Sequence, residues 1–362
     1  MERMVSCHMK MKEKLEFYNG RHVLVTGNTG FKGSWLCHIL KMLGAQVVGY
    51  ALEPPTKPSL YDLSNVGDIC QSVIGDIRDF KTLKETFNQF QPEIVLHLAA
   101  QPIVRESYVH PRETYETNVM GTVNLLECCR LTSCVHSVLN VTTDKVYLNR
   151  EWPWGYRENE ELDGHDPYSN SKSCSELVTH SYVRSFFNAP ESPAVSTARA
   201  GNVIGGGDFA VARIIPDCVR AAASKHPIVV RNPASIRPYQ HVLEPLFAYL
   251  MIAARQIQDG SLASNYNIGP DDCDNRTTGE LVDLFVKAWG DGTSWQRQSD
   301  GGPHEANILR LDCSKVKKMF GWRPRWHVEE AIAKTVEWSR TWLSGGDIVS
   351  CMNRQIMEYL EA

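Results

Sequence analysis

Three adjacent residues with reactive side chains follow a short apolar segment near the middle of the chain. The stretch VTTDKVY (141–147) places Thr143, Asp144 and Lys145 side by side, which gives a hydroxyl, an acid and a base. Ligands of doubly wound folds bind at the carboxyl ends of the strands, so this position favours chemistry. To work as a pair, Asp144 would have to be protonated and Lys145 neutral. If the two side chains are in contact as an ion pair, neither state is favoured.

A tyrosine and a lysine four residues apart occur downstream in DPYSNSK (166–172). On a helix, Tyr168 and Lys172 would share one face. A cationic lysine beside a tyrosine lowers the phenol pKa from its reference of about 10. A phenolate near neutral pH can take a proton from a sugar hydroxyl while hydride leaves to a nicotinamide. The YxxxK pattern occurs by chance in many helices, so its weight depends on the other segments.

A glycine-rich turn, GNTGFKG (27–33), follows the first apolar segment, RHVLVTG (21–27). Glycine lets the backbone approach a pyrophosphate, and the start of a following helix supplies N–H groups and a positive dipole. The pattern therefore predicts a dinucleotide site. The predicted cofactor contacts in this turn are Gly27, Thr29, Gly30, Phe31, Lys32 and Gly33. Lys32 either neutralises phosphate or is simply solvated.

The ends of the next two predicted strands bear on the adenosine half of the cofactor. The second strand ends at Leu52 with Glu53 beyond it, which leaves the choice between NAD and NADP ambiguous. The third ends in GDIRD, where Asp76 and Ile77 are predicted to contact the adenine. The alternative is a turn at Asp76 with Asp79 as a helix cap.

Strand and helix patterns alternate from residue 21 to about 203, which predicts an α/β fold. We expect a Rossmann-type doubly wound parallel sheet with a smaller mixed α/β C-terminal substrate-binding lobe. The cofactor domain would comprise 21–203 plus about 236–269, and the lobe about 204–235 plus 270–362. Two long helices are predicted at 112–131 and 168–187, and residues 1–20 read as a polar extension.

Composition excludes several classes of function. The chain has 362 residues and a net charge of −4, without a Lys/Arg-rich run, so no nucleic-acid partner is expected. Eleven cysteines without CxxC spacing indicate reduced thiols, no metal site and a cytoplasmic location. The N-terminus lacks the apolar run of a signal peptide, and the longest apolar run is far too short to span a membrane.

Taken together, these segments resemble extended short-chain dehydrogenase/reductases, and within them the nucleotide-sugar 4,6-dehydratase family. The matching segments include VTGNTGFKGSWL, HLAAQPIVRESY, TTDKVY, DPYSNSKSCSELV, RAGNVIGGGD and IRPYQHVLEPL. The resemblance implies a lyase that uses NAD in the synthesis of deoxysugars for cell-surface polysaccharides. Lysine in the third position, with FKGSW in the glycine turn, is typical of members acting on a CDP-sugar. The dTDP-glucose and GDP-mannose enzymes carry Thr/Ser-Asp-Glu or Ser-x-Glu instead.

The resemblance also implies roles for the reactive groups. Tyr168, assisted by Lys172, would deprotonate the hydroxyl on carbon 4 of the sugar, and Thr143 would hydrogen-bond that hydroxyl or align the tyrosine. Lys145 would take the proton from carbon 5, and Asp144 would protonate the hydroxyl leaving carbon 6. Alternatively, Lys145 stabilises the enolate electrostatically while another group is the base.

Further positions carry over from the resemblance. The additional cofactor contacts would be Leu98, Ala99, Ala100 and Asn118. The substrate contacts would be Gln101, Arg105, Ser107, Asn202, Arg213, Arg237 and His304. The alternative for Asn118 is a helix-packing amide, for Arg237 a surface arginine and for His304 a structural histidine.

The two long helices pack as a dimer interface in relatives, which implies a homodimer or homotetramer. Three other functions remain open: an epimerase or reductase, a dehydratase of another nucleotide sugar, and a non-catalytic NAD(P)-binding protein. An epimerase or reductase would not need Asp144 and Lys145. A non-catalytic protein would tend to lose Tyr168 or Lys172, and both are present.

Overall fold

The computed structural model describes residues 11–298 and 308–361. The strands are β1 His22–Thr26, β2 Gln46–Ala51, β3 Gln71–Ile74, β4 Ile94–His97, β5 Ser137–Val141, β6 Ala194–Ala200, β7 Val203–Ile204, β8 Ile228–Val230, β9 Ile236–Pro238, β10 Gln240–His241, β11 Asn265–Ile268, β12 Asn275–Thr277 and β13 Trp295–Arg297. The helices are α1 Met11–Leu15, α2 Phe31–Met42, α3 Leu60–Leu63, α4 Val66–Ile69, α5 Phe80–Phe90, α6 Val104–Val109, α7 Pro111–Tyr115, α8 Gly121–Arg130, α9 Pro167–Phe186, α10 Ile214–Ala223, α11 Leu243–Gln258, α12 Thr278–Trp289, α13 Ser314–Phe320, α14 Val328–Leu343 and α15 Ile348–Glu361.

Within the described residues, seven parallel strands form the central sheet in the order β11-β6-β5-β4-β1-β2-β3. Strand β1 pairs with both β2 and β4, with Val23 opposite Val47 on one side and Ile94 on the other. The strand order therefore reverses between β1 and β4. Ligands of open α/β sheets bind at the carboxyl ends of the strands at such a reversal. The predicted α/β fold with a Rossmann-type doubly wound sheet is confirmed.

The central strands are apolar on both faces because helices cover both sides of the sheet. Strands β4 and β5 are buried along their whole length. On one side, Trp35 and Leu36 of α2 and Phe247 of α11 belong to the largest apolar cluster. On the other side, Phe87 of α5 and Leu125 of α8 belong to a second cluster. These two layers fix the strand ends that carry the polar residues.

The predicted helix at 112–131 is interrupted. Helix α7 runs into a π-helical turn, Glu116–Met120, before α8 begins. Asn118 lies in this turn and is buried. Its Nδ2 atom donates to the backbone oxygen of Gln101 at 3.1 Å and to Ser171 Oγ at 2.9 Å. The π turn thus coincides with a polar contact between α9 and the loop after β4.

After β7, helices α10, α12 and α14 pack around a third apolar cluster that includes Ile215, Phe285 and Ile332. Helix α12 begins with a capping box between Thr277 and Glu280. Two short strand pairs, β9 with β12 and β8 with β13, flank these helices. This part of the chain lies beside the carboxyl edge of the large sheet and supplies Arg213 and Arg237 to the same cleft.

Residues 11–20 pack into the core rather than forming a polar extension. Leu15 and Tyr18 are buried in the largest apolar cluster, and the Tyr18 hydroxyl donates to the Leu250 carbonyl at 2.8 Å. Helix α15, which the sequence analysis did not predict, packs beside them on α11. The Tyr359 ring stacks on Phe247, with 4.7 Å between the ring centroids. None of the described helices has both the length and the hydropathy needed to cross a membrane.

Candidate active site

A cleft of about 1310 Å³ lies along the carboxyl ends of the central strands. It runs from the glycine turn after β1 to α10 and β9. The predicted site residues that line it are Gly27, Thr29, Gly30, Phe31, Lys32, Gly33, Asp76, Ile77, Leu98, Ala99, Ala100, Gln101, Arg105, Thr143, Asp144, Lys145, Tyr168, Lys172, Asn202, Arg213 and Arg237. The structure thus brings together most of the groups that the sequence analysis singled out.

The glycine turn is shaped by two positions that exclude a side chain. Gly27 has φ of +76°, and a Cβ atom there would lie 2.9 Å from the backbone nitrogen of Ala99. A Cβ atom on Gly33 would lie 2.1 Å from the Gly27 carbonyl oxygen. Helix α2 begins at Phe31, directly after Gly30, so its first N–H groups face the cleft end of the sheet. This cradle fits a pyrophosphate.

Lys32 lies among charged groups of the reactive centre rather than in solvent. Burial, together with the positive charges of Arg213 and Lys172, lowers its pKa to about 7. Asp144 raises the same pKa. Of the two alternatives for Lys32, the structure therefore disfavours simple solvation.

Asp76 lines the cleft and also holds an arginine. Its Oδ1 atom accepts from Arg78 Nε at 3.0 Å, and its Oδ2 atom accepts from Arg78 Nη2 at 2.6 Å. These hydrogen bonds keep the pKa of Asp76 below its usual value. The cap of α5 is Asp79, which accepts from the backbone nitrogens of Lys81 and Thr82. The two carboxylates therefore have separate places, and only Asp76 reaches the cleft.

We call residues 142–147 the catalytic turn. Strand β5 ends at Val141, and a 3-10 turn begins after Thr143. Asp144 Oδ1 accepts from Thr143 Oγ1 at 2.9 Å and from Lys145 Nζ at 3.3 Å. Lys145 Nζ also lies 3.4 Å from Asn202 Oδ1. Asp144 Oδ2 is buried and has no hydrogen-bond partner among the described residues, so one carboxylate oxygen remains available to a ligand.

Tyr168 and Lys172 share one face of α9, as predicted, and both are buried. The net lowering of the phenol pKa that the sequence analysis expected is not found in the structure. Burial raises the pKa of Tyr168 to about 12, against the lowering effects of the Thr143 hydrogen bond and the Arg213 charge. Lys172 Nζ instead donates to the Val141 carbonyl at 3.1 Å, and burial lowers the pKa of Lys172 to about 8. A cationic ligand beside the phenol would lower its pKa.

Three residues that were predicted to contact the cofactor or the substrate are not among the described residues that line the cleft. Asn118 does not line the cleft; its amide joins the Gln101 backbone to Ser171 on α9, which matches the packing alternative. Ser107 is fully buried and donates to the Val104 carbonyl at 2.7 Å, so its hydroxyl is used inside α6. His304 lies outside the described residues.

Arg231 and Asp208 are among the charged residues of the cleft that the sequence analysis missed. Arg231 directly follows the apolar strand β8 and lines the cleft near Arg213 and Arg237. Asp208, in GGGD, accepts from Arg213 Nη1 at 3.1 Å and thereby orients that guanidinium. Two features of the sequence could have indicated these residues: an arginine at the end of a strand and an aspartate after three glycines.

The fold and the site together define the class of protein to which this chain belongs. A glycine turn after β1, a Tyr–Lys pair on α9 and a threonine after β5, all facing one cleft, are the parts of an extended short-chain dehydrogenase/reductase. The family model described as GDP-mannose 4,6 dehydratase matches residues 24–335. The chain belongs to this family of nucleotide-sugar dehydratases.

The chain is also similar to individual proteins in sequence or in fold. The chain is 49% identical over 351 residues to the CDP-glucose 4,6-dehydratase of Salmonella typhimurium strain LT2, covering 96% of this chain and 98% of the relative. A dTDP-glucose 4,6-dehydratase from Bacillus anthracis in complex with NAD has a similar fold, with a TM-score of 0.74, 21% identity and coverage of 89% and 97%. A Thermus thermophilus UDP-glucose 4-epimerase in complex with NAD also gives a TM-score of 0.74, at 25% identity and coverage of 88% and 98%.

Proposed function

We propose that the protein converts CDP-glucose to CDP-4-keto-6-deoxyglucose and water, as an NAD-dependent hydro-lyase in deoxysugar synthesis. The observation that carries this is the placement of Asp144 and Lys145 beside Thr143, Tyr168 and Lys172 in one cleft. An epimerase or reductase would need only the last three. The choice of CDP-glucose rests on the 49% identity to the Salmonella enzyme of that name.

NAD would occupy the part of the cleft next to β1, β2 and β3. The backbone between Gly27 and Gly33 would hold the pyrophosphate, and Asp76 would accept from the adenine. Arg78 forms an ion pair with Asp76, and its Nη1 atom lies 3.7 Å from Glu113 Oε1. Its positive charge is therefore already balanced by carboxylates. This acidic surrounding disfavours the extra phosphate of NADP. When bound, NAD supplies a hydride acceptor for carbon 4 and returns the hydride to carbon 6.

Tyr168 takes the proton from the 4-hydroxyl. The Thr143 hydroxyl and the Arg213 charge favour the phenolate, and Lys172 lies one helical turn further along the same face. The phenol pKa of about 12 has to fall before this step. A positively charged nicotinamide beside the ring would act in that direction. Binding of the cofactor and deprotonation of Tyr168 are therefore coupled.

Asp144 and Lys145 carry out the elimination. The ketone at carbon 4 acidifies the proton on carbon 5, and Lys145 lies where it can take that proton or stabilise the enolate. Asp144 protonates the hydroxyl that leaves carbon 6. The two side chains are in contact at 3.3 Å, so the substrate has to separate them or move the proton between them. Lys145 or solvent returns a proton to carbon 5 when hydride reaches carbon 6, and the proton that Tyr168 has taken replaces the one that Asp144 gives.

The substrate diphosphate would bind between α10 and β9. Arg213, Arg231 and Arg237 converge there on the cleft from three different elements. A planar guanidinium suits bidentate binding of phosphate oxygens. Asn202, which is close to Lys145 Nζ, lies between this arginine group and the catalytic turn and would align the sugar.

We further propose a cytoplasmic homodimer. Two large apolar side chains, Met120 in the π turn before α8 and Leu177 on α9, are 50% and 53% exposed. Such a surface is typical of an interface between subunits. The ten described cysteines are all free thiols, which is usual in a reducing compartment.

The test is incubation of the purified protein with CDP-, dTDP-, GDP- and UDP-glucose and with GDP-mannose in deuterated water, with and without added NAD. Mass spectrometry would follow loss of one water molecule and uptake of one deuterium at carbon 5. Turnover of CDP-glucose alone supports the proposal. Turnover of another sugar keeps the mechanism and changes the substrate, whereas no water loss from any of them overturns the dehydratase assignment.

A further inference from the structure

A buried ion pair lies directly beneath the catalytic turn. Glu176 of α9 and Arg199 of β6 are both completely buried, and Arg199 Nη2 donates to Glu176 Oε2 at 2.8 Å. The pair keeps the pKa of Glu176 below its usual value despite burial. Neither side chain lines the cleft, so the pair does not touch a ligand.

Glu176 holds the start of the catalytic turn. The Thr142 hydroxyl donates to Glu176 Oε1 at 2.5 Å. The other carboxylate oxygen accepts from the Thr197 hydroxyl at 2.7 Å, in addition to Arg199. Thr142 is therefore tied through its side chain to the same helix that carries Tyr168.

Arg199 holds the end of the catalytic turn. Its Nη1 atom donates to the Tyr147 hydroxyl at 2.9 Å, and its guanidinium lies 5.1 Å from the centre of the Tyr147 ring. The Tyr147 hydroxyl in turn donates to Asn267 Oδ1 at 2.6 Å. The two ends of the turn are thus bound by the two members of one pair, and Thr143, Asp144 and Lys145 lie between them.

The same pair is connected to the proton-transfer groups. Residues 168, 172 and 176 follow one another at intervals of four on α9, so Tyr168, Lys172 and Glu176 lie along one face. Buried ion pairs contribute little net stability compared with apolar residues of similar volume. A buried pair at this place is therefore better explained by the geometry that it imposes on the groups around it.

We propose that Glu176 and Arg199 are positioning residues that set the distance between the catalytic turn and Tyr168 for the elimination step. This inference rests on the proposed dehydratase function. Neither residue exchanges a proton with the sugar. A misplacement of about 1 Å at a reacting group can reduce the rate on the order of 100-fold, so loss of either tie should appear in kcat.

The test uses substitutions that remove one hydroxyl and keep the shape of the side chain. Thr142→Val and Tyr147→Phe each cut one end of the turn from the pair. Thr197→Val is the matched control, because it removes another hydroxyl from the same carboxylate without touching the turn. Thr142→Ser restores the hydroxyl. The readouts are kcat and KM with CDP-glucose, thermal unfolding, and hydrogen exchange of the amides in residues 142–147.

We expect Thr142→Val and Tyr147→Phe to lower kcat about tenfold or more, with KM within twofold and faster exchange in 142–147. Thr197→Val should remain near the unmodified protein in both readouts, and Thr142→Ser should recover most of the kcat and of the exchange protection that Thr142→Val loses. Equal losses for Thr142→Val and Thr197→Val, in proportion to their unfolding temperatures, would overturn the inference, as would an unchanged kcat in both turn variants.

Hydrogen exchange separates this inference from the proposed function. If the unmodified protein turns over no nucleotide sugar, the proposed dehydratase function is wrong. The exchange rates still show whether the Glu176–Arg199 pair orders the catalytic turn. Faster exchange in 142–147 for Thr142→Val than for Thr197→Val supports the inference, and equal exchange contradicts it. Should Thr142→Val fail to fold, Tyr147→Phe provides the same comparison, because Arg199 keeps its bond to Glu176 and to the Glu158 carbonyl.

Discussion

The ammonium nitrogen of Lys145 lies 3.3 Å from Asp144 Oδ1, and both side chains face the cleft. A direct ion pair between the proposed base and the proposed acid leaves each in the protonation state that its reaction step cannot use. The substitution Lys145→Met removes base and charge together, and we expect kcat to fall about 100-fold or more. Oxidation at carbon 4 should persist, which a reduced-nicotinamide absorbance in a single turnover would reveal.

Lys145→Arg separates the two roles of this residue. Arginine keeps the positive charge but does not give up its proton in proteins. If Lys145 is the base, the arginine variant should be as slow as Lys145→Met and should not exchange deuterium into carbon 5. Recovery of most of the rate would instead assign the electrostatic role.

Tyr168→Phe should abolish turnover while leaving the cofactor site intact. Loss of a positioned acid–base group typically costs about 10²- to 10⁴-fold in rate. We expect the dissociation constant for NAD, measured by calorimetry, to change only a few-fold. Tyr115→Phe is the control, because that hydroxyl bonds to Asn170 Oδ1 and does not line the cleft. Substantial turnover by Tyr168→Phe would contradict the proposed proton transfer.

The rate should fall as pH rises through about 8. Burial lowers the pKa of Lys172 to about 8, and the neutral lysine no longer favours the phenolate. The Glu176 carboxylate raises this pKa, so Glu176→Gln should move the fall in rate to lower pH. The titration of Lys172 does not destabilise the folded chain in this pH range, so it does not make unfolding the cause of the fall in rate. The folded chain binds fewer protons at Lys172 than the unfolded chain between about 8 and 10.5, so its contribution to the free energy of unfolding rises with pH there.

Asp76→Asn should weaken NAD binding about tenfold, because a charge-assisted hydrogen bond to the adenine loses its charge and Arg78 loses its partner. Asp79→Asn is a nearby control. Asp79 caps α5 and does not line the cleft, so this change should cost at most about 1 kcal/mol in the free energy of unfolding and leave NAD affinity unchanged. Equal losses of affinity in both variants would argue against the assigned adenine contact.

Leu177→Glu should convert the proposed dimer into a monomer. The side chain is 53% exposed on α9, and a carboxylate buried in an apolar interface without a partner is strongly unfavourable. Leu343→Glu, on α14 and away from this surface, should leave the assembly intact. Sedimentation velocity would distinguish these cases. An unchanged assembly in Leu177→Glu would contradict the proposal that α9 forms the interface.

Much of this site was predictable because parallel strands bring their carboxyl ends to one edge of the sheet. That rule places the glycine turn, Asp76, Ala99 and the catalytic turn together without any knowledge of side-chain contacts. The same rule does not determine where each side chain points. Ser107 and Asn118 were predicted as ligand contacts, yet neither lines the cleft: the Ser107 hydroxyl bonds within α6, and the Asn118 amide bonds to the Gln101 backbone and to Ser171.

The charges of the site were harder to predict, because they depend on distances that local sequence does not set. The pattern YxxxK suggested a lowered phenol pKa, but Lys172 bonds to the β5 backbone and burial dominates at Tyr168. The arrangement of Arg199 under the catalytic turn joins residues far apart in the chain. The packing of residues 11–20 was missed for a similar reason, since Leu15 and Tyr18 find their apolar partners only in distant helices.

The packing of both described chain ends on α11 has a consequence for synthesis. Helix α1 contacts α11 and α15, and α15 covers Phe247 and bonds to Glu244. Translation delivers α15 after all the strands of the sheet, so a nascent chain that lacks it leaves an apolar helix face uncovered. Until α15 has been synthesised and has packed on α11, that face is open to chaperones and to aggregation.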